Sequence, residues 1–371
     1  MRIVYGLLCL FFLIFFHELG HFIAAKLFGV KVESFSLGIG PWYLHKTIRG
    51  TDYRLSLIPL GGYCGMKGEK DFAKSLEAGL DHIEAASDSL YGIHPLKRLL
   101  IAFAGPFFNL IFAVIAFSLI NGIGYSYYSY SNKIQLADEV YPELHSAARD
   151  AGLLTGDTII EIQGNQIENF SDLMQIVTVN PDKELKVVVL RDNEKKNFTV
   201  HTDLDKDSGA GKIGVVADQE SITKYDSPRY SFFGSILHGF LDTGKYISLT
   251  FKSLGILFKG VNLTNSVSGP ARVADLLGDV VQEGFSLSFR QGLVSMFNLM
   301  ALISISLGIM NLLPVPVLDG GLILFALIEF ISRRKISPKV LYYIQFVGVA
   351  IIGLLFIIGL FGDIKYFMRK I

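Results

Sequence analysis

The chain has 371 residues, 51% of them hydrophobic, a mean hydropathy of +0.43, and 34 basic residues balanced by 34 acidic ones. That is the composition of a membrane protein. Zero net charge and a pI near 7.1 remove the positive field that nucleic-acid binding needs, and two cysteines, Cys9 and Cys64, supply neither a disulfide framework nor a cysteine metal site.

A bilayer core about 30 Å thick is crossed by about 20 apolar residues in a helix. Four runs reach that length: 3–27, 99–120, 293–313 and 340–361. The first begins like a signal peptide, with Arg2 as a short basic region and 3–16 as its core. His17, Glu18 and His21, however, stand where a cleavage region is small and neutral. Those three residues form HELGH inside the stretch FFLIFFHELGHFIAAK. On a helix, His17 and His21 share a face, so both imidazoles can reach one metal ion while Glu18 sits one step round the turn. Zinc held by two histidines and a third ligand keeps a fourth position for water and lowers the pKa of that water, leaving Glu18 to accept its proton. Ionisable groups at membrane depth cost several kcal/mol unless paired or coordinated, so three of them together imply a partner.

The loop from Lys26 to Arg98 carries ten basic residues, and Arg333, Arg334, Lys335 and Lys339 carry four more. Basic residues concentrate on the cytoplasmic side, which puts the N-terminus, the region 121–291 and the C-terminus outside; Lys365, Arg369 and Lys370 pull the other way.

Between the second and third spans lies a soluble insertion. DAGLLTGDTIIEIQGNQIENFSDL reads as a turn, a short strand, a second turn at Gly164 and Asn165, and the start of a helix. It resembles the core of a PDZ domain through Ala151, Gly152, Leu153, Gly156, Asp157 and Ile159. KELKVVVLRDNEKKNFTVHT then reads as a hairpin, and KIGVV closes the domain near Val216. The resemblance implies strand-wise capture of a peptide or substrate tail on the outer side. Beyond it, 230–261 mixes apolar residues with His238, Asp242, Lys245 and Lys252, the pattern of an amphipathic helix on the membrane surface, with a fifth span as the alternative.

NLLPVPVLDGG offers a third ligand. Asp319 follows two prolines, so a broken helix at the cytoplasmic end of the third span can present its carboxylate, although LDGG alone also reads as a turn.

Taken together, HELGH, SLIPLGGYCGMKGE, AGPFFN, the insertion, SVSGPARVA and LGIMNLLPVPVLDGG resemble, in that order and over nearly the whole chain, the site-2 protease family of intramembrane zinc metalloproteases, of the bacterial regulator-of-sigma-E type. The resemblance implies Zn2+ on His17, His21 and Asp319, with Glu18 as general base. It further implies hydrolysis of peptide bonds in or near the transmembrane segment of single-span membrane proteins, as in regulated intramembrane proteolysis. Asn311 matches an asparagine that holds the substrate backbone or polarises its carbonyl. Gly61 and Gly62, within 53–66, match a re-entrant β-like loop that pairs with unwound substrate. Gly105, Pro106 and Asn109 read as helix-packing residues. Ser306 stands where many bacterial relatives have asparagine, and Leu322 where they have histidine.

The expected architecture is a polytopic α-helical membrane protein with four spans and an inserted α+β PDZ domain, in the bacterial inner membrane with the insertion on the periplasmic side. Its segments are 1–122 with HELGH and the re-entrant loop, 123–220 as the PDZ domain, 221–291 as interfacial helices, and 292–371 with LDGG. The competing reading is a non-catalytic membrane-anchored PDZ adaptor or chaperone, which has no need of Glu18. A zinc transporter-like protein would need further intramembrane carboxylates.

Overall fold

Charge-free apolar runs in hydrocarbon can satisfy their backbone only within themselves, and helices are the result. The computed structural model describes residues 2–257, 259 and 269–370; Val261 and the first three residues of SVSGPARVA lie outside the described residues. The chain divides into two compact units. The first takes Met1–Ile123, Tyr230–Ile247 and Ser268–Ile371, and the second Gly124–Arg229 and Ser248–Val267.

The first unit opens with α1 (Arg2–Leu27), a hairpin of β1 (Val32–Ile48) and β2 (Thr51–Met66), a short α2 (Asp71–Glu77), and α3 (Pro95–Ile123). In the second unit come β3 (Ser126–Ser129), β4 (Ile134–Leu136), the one-turn helices α4 (Ala137–Val140) and α5 (Ala147–Asp150), β5 (Thr158–Ile162), β6 (Asn165–Gln166) and α6 (Phe170–Thr178). They are followed by β7 (Glu184–Arg191), β8 (Glu194–His201), β9 (Asp203–Leu204), β10 (Gly211–Lys212), β11 (Val215–Ala217) and β12 (Thr223–Asp226). The chain ends with α7 (Phe232–Leu257), α8 (Pro270–Leu287), α9 (Phe289–Asn311), α10 (Asp319–Ser332) and α11 (Pro338–Lys370).

Among the described residues, four helices are long and apolar enough to cross a membrane: α1, α3, α9 and α11. The third ends at Asn311 rather than Leu313, because Pro314 disfavours helical backbone in the residue before it. Small residues let these helices touch backbone to backbone. A methyl at Gly20 of α1 would strike the Ala104 carbonyl of α3, and one at Gly308 of α9 would lie 3.2 Å from the Pro106 carbonyl oxygen. The first half of α7 lies along the end of α3: Asn121 donates to Asp242 at 2.7 Å, and Tyr246 stacks on Phe117. Phe232, Phe233, Leu237, Phe240 and Leu241 stay exposed along α7. Helix α8, also within 221–291, buries Ala274, Leu277 and Val281, and a methyl at Gly6 of α1 would meet its backbone. Ala274 and Gly278 on its buried face permit helix contact that bulky side chains would block.

The hairpin is longer than the loop expected at 53–66. It turns at Arg49 and Gly50, both at positive φ (49° and 79°), as a type I′ connection requires. Its root buries Val32, Phe35 and Cys64 against Ala24, Ala25 and Ile101, while Trp42, Tyr43, Leu44 and Leu57 remain exposed towards its far end.

In the second unit a four-stranded antiparallel sheet, ordered β6-β5-β7-β8, covers a core that includes Leu153, Ile159, Ile162, Leu173, Val187 and Val189. The expected hairpin is β7–β8, turning at Asp192 and Asn193. The second turn falls at Gln163 and Gly164, both at positive φ, so that Asn165 already belongs to β6.

In AGLLTGD, Leu153 fills the core and Asp157 is buried on a fork of Arg191, whose Nε and an Nη donate at 2.7 Å each, with the Leu154 N–H at 2.9 Å. Burial pushes the Asp157 carboxyl up, but Arg191 and the Leu154 N–H outweigh it and hold it below the ordinary carboxylate range. A depressed folded-state pKa contributes stability that is complete above the unfolded value of about 3.9 and fades as pH falls through the lower folded value. Arg191→Met leaves that carboxylate buried and unpaired, and is expected to cost about 2–4 kcal/mol at neutral pH. Hydrogen exchange of β5 and β7 amides in the full chain checks it: protection should fall in the variant, and less so as the pH approaches 3–4 in the same sense as the ~3.9 reference.

Candidate active site and metal centre

Two histidines four residues apart on α1 face an aspartate that begins α10. His17 and His21 are buried, at 9% and 6% exposure, although they lie within an apolar spanning helix. Their Nε2 atoms are 3.3 Å apart. Asp319 brings Oδ2 to 3.3 Å from His17 Nε2 and Oδ1 to 3.3 Å from His21 Nε2.

The loop before Asp319 explains how a carboxylate comes to stand there. Pro314 and Pro316 stop α9 from continuing, and the chain folds back over the start of α10. Methyl groups at Gly320 or Gly321 would strike the backbone of Leu312, Leu313, Val315 and Pro316, so the two glycines after the aspartate make room for that loop. Val317 holds φ at 86°, an unusual conformation for a β-branched residue that costs about 1–3 kcal/mol. Close approach of Gly320, Gly321 and Gly348 to the backbone of this loop holds the turn immediately before Asp319.

His21 Nδ1 lies 2.8 Å from the Ile101 carbonyl of α3. A carbonyl only accepts, so Nδ1 carries the proton and Nε2 presents its lone pair to the cluster. Zinc–ligand distances of about 2.0–2.2 Å at tetrahedral angles put ligand atoms about 3.3–3.5 Å apart. The three separations here have that length, and the donor set of two imidazoles and one carboxylate is a zinc set. The residues fit the ion.

The other expected site residues converge on the same place. Glu18, Gly61, Gly62, Asn311 and Leu322 line one cavity of about 760 Å³ with His17, His21 and Asp319. Asn311 Nδ2 is 3.4 Å from His17 Nε2. Gly62 brings β2 against α1: a Cβ there would lie 2.9 Å from the Ser36 carbonyl oxygen and 3.4 Å from Glu18 Cγ. Gly61 has φ at 133°, where a side chain is strained. Ser306 is exposed and donates to Leu302 on its own helix, so it stands apart from this constellation. Asn109, read from the sequence as a packing residue, reaches the site: its Nδ2 is 3.1 Å from His17 Nδ1. Gly105 and Asn109 share the histidines' spacing of four, but that spacing does not tell a site residue from a packing one.

The profile of peptidase family M50 matches residues 5–355. The chain belongs to that family. Its relatives include a zinc metalloprotease of Treponema pallidum, 34% identical over 98% of this chain and 99% of the relative. Another, from Campylobacter jejuni, is 35% identical over 95% and 90% of the two chains, and one from Agrobacterium fabrum 34% identical over 98% and 95%. This M50 peptidase is therefore a zinc metalloprotease and a membrane protein, and protein chains are its substrates.

Proposed function

We propose that the protein cuts single-span membrane proteins within or beside their transmembrane segment, using zinc held by His17, His21 and Asp319. The observation that carries this reading is the depth of the ligands. Both histidines lie within the apolar span Ile3–Leu27, and the cavity they share opens among spanning helices instead of on a soluble domain.

Zinc, when bound, supplies a Lewis acid that acidifies a water molecule and polarises the scissile carbonyl. Glu18 takes the proton from the attacking water and delivers it to the leaving amine. Asn311 donates its amide N–H to the carbonyl oxygen as negative charge develops there. The β2 edge at Gly61 and Gly62 receives the substrate as an extended strand, which matters because a helical peptide bond is shielded by its own turn.

We read 123–220 as a PDZ domain outside the bacterial inner membrane, with 1–122, 221–291 and 292–371 as the membrane-bound segments. Supporting it, AGLLTGDTI puts Leu153 and Ile159 in the core, and a groove of about 570 Å³ beside α6 is lined by Tyr128, Phe170, Met174 and Thr178. Met174 and Tyr128 are exposed there, which suits capture of a peptide or substrate tail. On this reading the protein serves regulated intramembrane proteolysis, in which anti-sigma factors or signal-peptide remnants are cut.

The test is cleavage of a generic single-span reporter by the purified protein in proteoliposomes, with product masses read by spectrometry and zinc measured on the same sample. Cuts inside the reporter's span or within a few residues of it are expected. Cuts confined to soluble flanks would overturn the intramembrane reading while leaving a zinc protease.

A further inference from the structure

We propose that Asn109 is a positioning residue of the zinc centre, holding the His17 imidazole as the Ile101 carbonyl holds that of His21. The inference rests on the reading of His17, His21 and Asp319 as zinc ligands.

Three residues four apart on α3 face the two histidines four apart on α1. Ile101 offers its carbonyl to His21 Nδ1 at 2.8 Å, and Asn109 brings its amide to His17 Nδ1 at 3.1 Å. Gly105 lies between them, and a methyl there would collide with the His21 ring and come within 2.8 Å of His17 Cε1. One face of α3 thus provides a polar group, a gap and a second polar group in register with the paired rings. Helices repeat every 3.6 residues, so only positions three or four apart can line up in this way.

The amide's chemistry points to the same role. Asn109 is fully buried in a spanning helix, and its Oδ1 has no hydrogen-bond partner among the described residues. Burying an amide costs free energy that a helix–helix contact normally recovers by satisfying both ends. Here one end is used, and it is used on His17. Ser304 fixes the segment from α9 by donating to the Asn109 backbone carbonyl at 2.9 Å. That bond leaves the side chain free for the histidine.

To ligate through Nε2, His17 needs the proton on Nδ1, and Nδ1–H needs an acceptor. A half-turn about Cβ–Cγ exchanges the two ends of the Asn109 amide and presents Oδ1 to that proton. Metal ligands held in this way owe both ring orientation and tautomer to the outer partner.

The experiment is zinc affinity, measured by competition with a chelating indicator on the purified full-length chain, beside melting of the metal-free protein. Asn109→Leu keeps the volume and removes the acceptor, and is expected to weaken zinc about 10–100-fold without lowering the metal-free melting temperature. Asn109→Asp keeps an acceptor and loses the amide donor, and is expected to hold zinc within about threefold of native, well inside that 10–100-fold range. Asn109→Leu with native zinc affinity would overturn the proposal. So would a folded Asn109→Asp weakened as much as Asn109→Leu, and this second arm decides the matter even where Asn109→Leu fails to fold. A native chain that binds no zinc would strike the ligand assignment itself, a separate result.

Discussion

Glu18→Gln is expected to lower kcat for a single-span reporter by about 10²- to 10⁴-fold while zinc content and melting temperature stay native. The substitution exchanges one oxygen for an amide nitrogen, so shape is kept and the ability to accept a proton is lost. KM should stay near native, because the group acts as the water is deprotonated and the amine leaves, after the substrate is bound. A neighbouring carboxylate makes the comparison sharper. Glu69 lines the same cavity, but one of its oxygens already accepts from the Met66 N–H at 2.9 Å, closing the turn after β2. Glu69→Gln keeps an oxygen that accepts from the Met66 N–H, so both the turn and cleavage should stay near native. Cleavage retained in Glu18→Gln and lost in Glu69→Gln would transfer the base to the loop.

The centre was legible in the sequence to the extent that its parts repeat at helical spacing or interrupt a helix. His17 and His21 sit four apart in an apolar run, and Asp319 follows a double proline that no helix can continue through. Span ends were less legible, because apolar residues continue past the point where backbone rules intervene: Leu312 and Leu313 belong to the hydrophobic run, yet Pro314 stops α9 before them. The first strand of the hairpin alternates only briefly, at Phe35, Leu37 and Ile39, before Gly40 and Pro41 interrupt the pattern. Its pairing with β2 shifts register repeatedly between Val32 and Leu44, so side chains do not keep one face buried. Asn109 was hidden for a different reason. A lone amide in a spanning helix reads as glue between helices, and which partner it serves depends on the rotation of α3 against α1, which no local pattern fixes.

Arg98 was hidden among ordinary loop charges, and its role leads to the largest expected loss of stability. Counted with the other basic residues before the second span, it signals orientation; in the structure its side chain is 3% exposed and paired with Glu329 of α10, itself 6% exposed. The guanidinium also lies 5.0 Å from the centre of the Tyr91 ring, and the second oxygen of Glu329 accepts from the Ile336 N–H at 3.0 Å. Removing one partner leaves the other charge buried alone. Arg98→Met or Glu329→Leu is each expected to destabilise by about 3–5 kcal/mol, and the double variant by much less, since no charge is then stranded. Arg98 Nε lacks a partner among the described residues, which tilts the comparison further towards the double variant. The pair ties the helix that begins at Asp319 to the helix that carries Ile101, Gly105 and Asn109. Loosening it should let the carboxylate drift from the imidazoles, so zinc affinity should fall in both single variants and return in part in the double one. Melting in detergent and chelator competition on the same preparations separate the two effects. Lost stability with native zinc affinity would mean that the ligand triad keeps its own geometry and that the ion pair serves the fold alone.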